Sequence, residues 1–459
     1  MAALRDEVIA EGVALLSITS HLNRFLAECR SERTYLHETE AFFGFVEDAL
    51  TSIYRFVQTQ AAELETMSDT GAAAAFRDLK ALERIVGHIY YLVRQVCDAD
   101  TLSIPFPIIV HINGITKDLP EACGARNSRI LLLATDQLNF LHRGLDVIRQ
   151  LCAVCDIVPA FPQDLGIVAF PYTERNSICL NCLLFHELGH YLYHKGNISA
   201  ALEPQLVKLD AEIANLPAEG LFDVSILLGV ARERVLAWAS EVFADLVATG
   251  IVGPSFAVAL DKLIRLSGAE EGQMTAFSDT HPAGTYRKTL IAKLLLDLEW
   301  RPALEKVAPD LVASLDRDAA STVTHTYPIV NVQLARILLQ EFDGMVPHVK
   351  HLAEGIIQQL PFNKDDFLLC HEEVIKELKH LVVPTIRVRP GANSVSPSAI
   401  TVLNCGALLL GRRDLADVFA LAGRSPASID DRLWLEDRLN LLVMKAIEDG
   451  LVVRKWQQT

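Results

Sequence analysis

Apolar positions recur with a helical period through the first hundred or so residues. Val8, Leu15, Ile18, Leu22 and Phe25 fall on one face, as do Phe42, Val46, Leu50, Ile53 and Val57, the three-to-four spacing of amphipathic helices. A polar break, Met67-Ser68-Asp69-Thr70-Gly71, precedes a third such run through Leu79, Leu82, Val86, Ile89, Val93 and Val96. From Pro105 the pattern changes to short apolar runs. Pro107 to Ile112, Arg129 to Leu133 and Gly166 to Phe170 predict strands, with a helix through Val147 and Leu151 before the last of them. Beyond about residue 300 helical spacing returns, and Leu435, Leu439, Leu442 and Ala446 form a stripe that Gly450 is expected to stop. The stretch 387–397, RVRPGANSVSP, is the most linker-like. The expected organisation is a helical N-terminal domain (1–104), a central domain (105–300) and a helical C-terminal domain (301–459).

Composition narrows the partners. A chain of 459 residues has room for two or three domains and a sizeable core. No run of about 18 uncharged apolar residues is present, so no membrane span is expected. Arg5, Asp6, Glu7 and Glu11 break up the N-terminal apolar positions, unlike a secretory leader. Nine cysteines, an odd number scattered through apolar segments, fit a reducing cytoplasm. The net charge of −16 with no basic block argues against nucleic acid or an anionic membrane as partner. It leaves a peptide or protein substrate open.

The candidate chemistry starts at His186-Glu187-Leu188-Gly189-His190, an HExxH sequence in an apolar stretch. On a helix, residues four apart share a face with side chains about 5–6 Å apart, so both imidazoles can reach one zinc ion at about 2.0–2.1 Å. Glu187 sits about 100° round the helix, beside such an ion, where a general base for metal-activated water belongs. A catalytic zinc needs a third protein ligand. His194 continues the stripe but stands about 12 Å along the helix from His186, too far to share an ion. Downstream, Trp238, Glu241, Asp245 and Ala248 share a helix face. Two readings of that face stand: a solvated acidic surface, or Glu241 on zinc with Asp245 accepting the outer N–H of a ligating histidine.

HELGH followed by ExxxD resembles the gluzincin metallopeptidases. The segment Thr280-His281-Pro282-Ala283-Gly284-Thr285-Tyr286-Arg287 looks like the His-Pro…Arg segment of the HtpX and CAAX prenyl endopeptidase family. The sequence around HELGH also looks like the ImmA/IrrE metallopeptidases. The resemblance covers about residues 165–295. It implies one zinc ion per chain on His186, His190 and Glu241, Glu187 as base, and Asp245 as the carboxylate behind the ligands. It also implies His281 and Arg287 as supports for the transition state. The implied fold is α+β and mostly helical, a zincin-like core with a small mixed sheet whose strand at Gly166 to Phe170 runs along the cleft. An edge strand there could pair with an extended peptide.

Other features compete for metal. Cys152-x₂-Cys155 and Cys179-x₂-Cys182 together imitate a four-thiolate zinc ribbon. Both pairs lie in apolar, helix-like runs without the usual Gly or Pro knuckle, which favours buried free thiols. His325, His348, His351, His371 and His380 show no ligand spacing. The expectation is a soluble, cytoplasmic zinc metallopeptidase. The alternatives are a zincin-fold sensor or scaffold that acts through partner binding, and a structural metalloprotein built on the cysteines.

Overall fold

The computed structural model describes residues 2–63, 66–119, 129–135, 141–143, 165–216, 224–266, 274–329, 331–360, 364–384, 397–412, 415–424 and 429–458. Cys152, Cys155, the helix expected through Val147 and Leu151, and nearly all of the linker-like stretch lie outside them. The described chain is mostly helical with one small sheet, and contacts divide it into two units, 1–106 with 128–173 and 107–127 with 174–459.

In the first unit the three apolar stripes become α1 (Ala2–Glu32), α2 (His37–Glu63) and α3 (Asp69–Cys97). Ser68 starts α3 by accepting the Gly71 N–H on its hydroxyl at 3.2 Å, which satisfies one of the unpaired first-turn donors. Leu15, Leu22, Phe42, Leu50, Leu82 and Val86 are buried together in one core. Each contributes roughly 1.5–3 kcal/mol relative to exposure.

In the second unit the apolar run at 107–112 is not a strand. It lies in α4 (Phe106–Asp118), where Ile108, Ile109, Ile112 and Ile115 are buried at helical spacing. A six-residue apolar run satisfies either period, and here the residues after it extend the helical one.

The strands β1 (Arg129–Thr135), β2 (Leu141–Arg143) and β3 (Leu165–Pro171) form a sheet in the order β1-β3-β2. β3 runs parallel to β1, with Leu131 opposite Ile167, and antiparallel to β2. This corrects the expected edge strand: β3 is central and its backbone is already paired on both sides. Sequence periodicity sets which residues alternate, but carries no information about strand order. Leu131, Leu133, Ile167 and Ala169 join the core of the N-terminal helices. The sheet therefore belongs to the first unit, although its segments were expected in the central domain with HELGH.

The second unit continues through α5 (Ile178–Asn181), α6 (Leu183–Lys195), α7 (Ile198–Ala201), α8 (Glu203–Ala214), α9 (Val224–Val252), α10 (Pro254–Leu266) and α11 (Gly284–Asp297). It then runs through α12 (Arg301–Val307), α13 (Pro309–Ala319), α14 (Val332–Ile357), α15 (Lys364–Lys379), α16 (Ala399–Leu410), α17 (Ala416–Leu421) and α18 (Ile429–Gln458). α18 passes through Gly450 instead of stopping there. A helix-interior glycine costs only about 1 kcal/mol relative to alanine, less than the neighbouring turns supply.

α9 lies at the centre, packed by α6 and α14, and its C-terminal half is buried on all sides, Trp238, Val242, Phe243, Val247 and Ile251 included. Residues Ser225–Val252 are long and apolar enough to cross a membrane, but 89% of the most apolar window is buried inside the protein, as in a core helix. That helix carries Glu241 and Asp245.

One close approach sets the geometry. A Cβ on Gly189 of α6 would sit 2.6 Å from Ala244 Cα of α9, so the two backbones cross where only glycine fits. Gly189→Ala is expected to destabilise the fold by about 1–3 kcal/mol, the usual range for overpacking. It should also part Glu241 from the two histidines. A thermal melt combined with a metal-binding titration checks both effects, and a wild-type result in each would show that the crossing is slack.

Candidate metal centre

Residues of α6, α9, α11 and the segment before α11 converge on one buried cluster in the second unit. α6 carries His186, Glu187 and His190, whose candidate ligand atoms lie within 4.8 Å of one another and could hold a metal ion. The two imidazoles point at a common place, with Nε2 to Nε2 at 3.0 Å. Glu241 of α9 closes the cluster. Its Oε2 is 3.4 Å from His186 Nε2 and its Oε1 is 3.2 Å from His190 Nε2.

The outer ring nitrogens determine what these atoms can do. His186 Nδ1 lies 3.0 Å from Asp245 Oδ1. The approach is off-line and forms no regular hydrogen bond. An ionised carboxylate can only accept, so the Nδ1 proton faces Asp245 and Nε2 is the nitrogen that would give up its proton to a metal ion. His190 Nδ1 and Ser240 Oγ share a hydrogen bond at 2.9 Å, which orients the second ring in the same sense. Two imidazole nitrogens and a carboxylate face one another at 3.0–3.4 Å, a donor set that a single cation would join. Tetrahedral ligands at about 2.0–2.1 Å from an ion are about 3.3 Å apart, so the donor set fits one. Glu187 Oε2 and Glu241 Oε2 are also buried without a hydrogen-bond partner, the mark of atoms shaped for something else.

The surrounding charges are arranged to keep the carboxylates ionised. Arg287 of α11 is buried and binds Asp245 through two parallel hydrogen bonds, Nε to Oδ2 at 2.7 Å and Nη2 to Oδ1 at 2.6 Å. Its Nη1 reaches Glu241 Oε2 at 3.3 Å. Burial opposes the charge on Glu241, but His190, Arg287 and the closeness of both imidazoles hold its pKa well below the usual range. Burial likewise opposes Asp245, and Arg287 and His186 hold it low. His186 is disfavoured as a cation by burial, yet the close carboxylates of Asp245 and Glu241 raise its pKa to about 10. For Glu187 burial dominates and pushes the pKa up, against the pull of His186 and His190.

Every site residue expected from the sequence except the outlying cysteine pair is described, and most are gathered here. Arg287 sits beneath the carboxylates instead of facing open space. His281 is more than half exposed, with Nε2 3.4 Å from Glu241 Oε1. Its segment is pinned by Trp238, whose indole N–H donates to Ser278 O at 2.8 Å. Tyr286 is not directed at the cluster, since its hydroxyl donates to Asp343 at 2.7 Å. Cys179 and Cys182 are buried thiols; burial raises Cys179 to about 12 and Cys182 higher still, the reverse of what a thiolate ligand needs.

Three contributors escaped the sequence reading. Ser240 directly precedes Glu241 in the chain, and its hydroxyl was the available signal. Gly189 was visible as a small residue on a buried face. Phe256, which stacks over His186 with ring centroids 6.0 Å apart at 10°, gave no signal. It arrives there because Gly253, at φ 61°, turns α9 sharply into α10. Compared with protein-family models, curated proteins and solved structures, the chain matches none.

Proposed function

We propose that this protein is a zinc-dependent peptidase of the gluzincin kind, with zinc held by His186, His190 and Glu241. The observation that supports it most is the convergence of both Nε2 atoms and the Glu241 carboxylate on one point, with Glu187 beside it in the HExxH arrangement. Zinc there would supply Lewis-acid polarisation of a scissile carbonyl and a water acidified towards about pH 7. With the metal bound, Glu187 would be the residue placed to accept a proton and return it to a leaving amine, and its burial-raised pKa suits that exchange. His281, on the exposed side of Glu241, is placed to donate to charge developing on the substrate oxygen. Arg287 and Asp245 hold the ligands in register. A zincin-like arrangement of these helices is part of this reading.

Two measurements test the ligand set. Glu241→Ala is expected to lower zinc occupancy by about 10-fold or more at limiting metal, while Cys179→Ser leaves it unchanged. Metal analysis after dialysis against a defined zinc buffer reads both. Loss of zinc in the cysteine variant alone would move the metal to the thiols and refute the assignment.

The second concerns pH. Asp245 and Glu241 raise the His186 pKa to about 10 against the opposing effect of burial, so metal binding at Nε2 would release a proton at neutral pH. Apparent affinity is then expected to fall about tenfold per pH unit as pH drops towards neutrality. The stability sign is also defined. A histidine raised on folding stabilises fully below its unfolded pKa of about 6.5 and loses that contribution as pH rises, here through about 10. The metal-free protein should therefore lose stability across that window, and the stabilisation gained on adding zinc should grow. Calorimetric titrations in buffers of different ionisation enthalpy report the released proton, and a pH-independent affinity would contradict a protonated His186 in the metal-free site.

A further inference from the structure

A cavity in this unit shares two helices with the metal centre. It encloses about 600 Å³, a volume typical of small-molecule sites. α10 sends Phe256 to His186 and lines the cavity with Val258, Leu260 and Asp261. α11 sends Arg287 to the carboxylates and lines the cavity with Lys288 and Ile291.

Its charge runs against that of the chain. The lining holds seven lysines and arginines against four carboxylates, whereas the whole sequence has 42 basic and 58 acidic residues. Two of those carboxylates are already engaged, Glu436 by Lys262 and Asp261 by both Lys288 and Arg265. At one side, Lys306, Lys379 and Arg412 come from the ends of three different helical segments and also line an adjoining cavity of about 270 Å³. Lys379 and Arg412 share the single carboxylate of Asp417, at 2.7 and 3.1 Å. Lys306 makes no ion pair among the described residues. The lining also includes Leu260, Ile291, Leu315 and Leu408, all buried. Among the described residues, no aromatic side chain lines the cavity to stack a base.

We propose that this cavity binds an amphiphilic organic anion, its acyl chain against Leu260, Ile291, Leu315 and Leu408 and its headgroup on Lys306, Lys379 and Arg412. Cations grouped beside an apolar wall match that one chemistry: burying the chain supplies affinity and the charged headgroup fixes orientation. The proposal does not depend on the metal chemistry, so it holds equally for zinc-free protein.

Calorimetric titration of the full chain with octanoate, decanoate and dodecanoate, below their micellar concentrations, tests it. One saturable site is expected, with Kd falling about three- to fourfold per added methylene. Lys306→Glu and Arg412→Glu, each checked for an unchanged melt, should weaken decanoate binding at least fivefold. No saturable binding overturns the proposal. So does an affinity independent of chain length, which would mean a bare anion contact, or an affinity unmoved in both variants, which would place the ligand elsewhere.

Discussion

Glu187→Gln is expected to retain the metal and lose turnover. The amide preserves the shape of the side chain but cannot accept the proton, and general-base assistance contributes about 10²–10⁴-fold to rate. Cleavage of a quenched fluorescent peptide library should fall by at least that lower factor, with zinc content measured on the same samples unchanged. The structure adds an expectation for stability. Glu187 is buried with one carboxylate oxygen unpartnered and a pKa raised by burial. A neutral amide removes a poorly solvated charge, so the metal-free variant should melt no lower than the wild type. Library cleavage that survives unchanged in the glutamine variant would remove Glu187 from the chemistry.

Asp245→Ala is expected to be the most damaging substitution for the fold. It leaves the fully buried Arg287 without its two-pronged partner and His186 without the acceptor at 3.0 Å. Removing one member of a buried ion pair costs about 3–5 kcal/mol, because the other charge stays desolvated. Glu241 compensates only in part, with its oxygen 3.3 Å from the guanidinium. Combining Asp245→Ala with Arg287→Leu should recover part of the loss, since the stranded charge goes too. Urea denaturation of metal-free wild type, both single variants and the double variant measures this cycle. Strictly additive losses would mean that the pair does not act as a unit, and that the site is held by packing alone.

The same cluster clarifies the role of Arg287. Family resemblance suggested support for the transition state from both His281 and Arg287. Only His281 is exposed beside the cluster; Arg287 is buried against Asp245 and Glu241. Its role in our reading is to fix two like-charged side chains in place. Without it, carboxylates one helical turn apart would repel in a site that offers them little water.

Much of this was legible in one dimension, for an identifiable reason. Residues four apart on a helix meet whatever surrounds them, so His186 with His190, and Glu241 with Asp245, follow from backbone geometry. The three long helices before residue 98 follow from the spacing of their buried residues. The misreadings fall where local pattern is silent. Six apolar residues at 107–112 fit two periods, and the turns beyond them made the helix. The strand at 165–171 has an alternation that names its faces, but not its neighbours, and it proved to be central. Gly450 is a stop signal only when nothing continues past it.

What tertiary structure alone decided is which side chain meets which. Asp245 faces His186, Ser240 holds His190, and Arg287 joins both carboxylates, all because α6 and α9 cross at Gly189 and Ala244. Helical periodicity specifies a face. The point where two faces touch depends on the shapes of all the residues between them, and no single stretch of sequence contains that information.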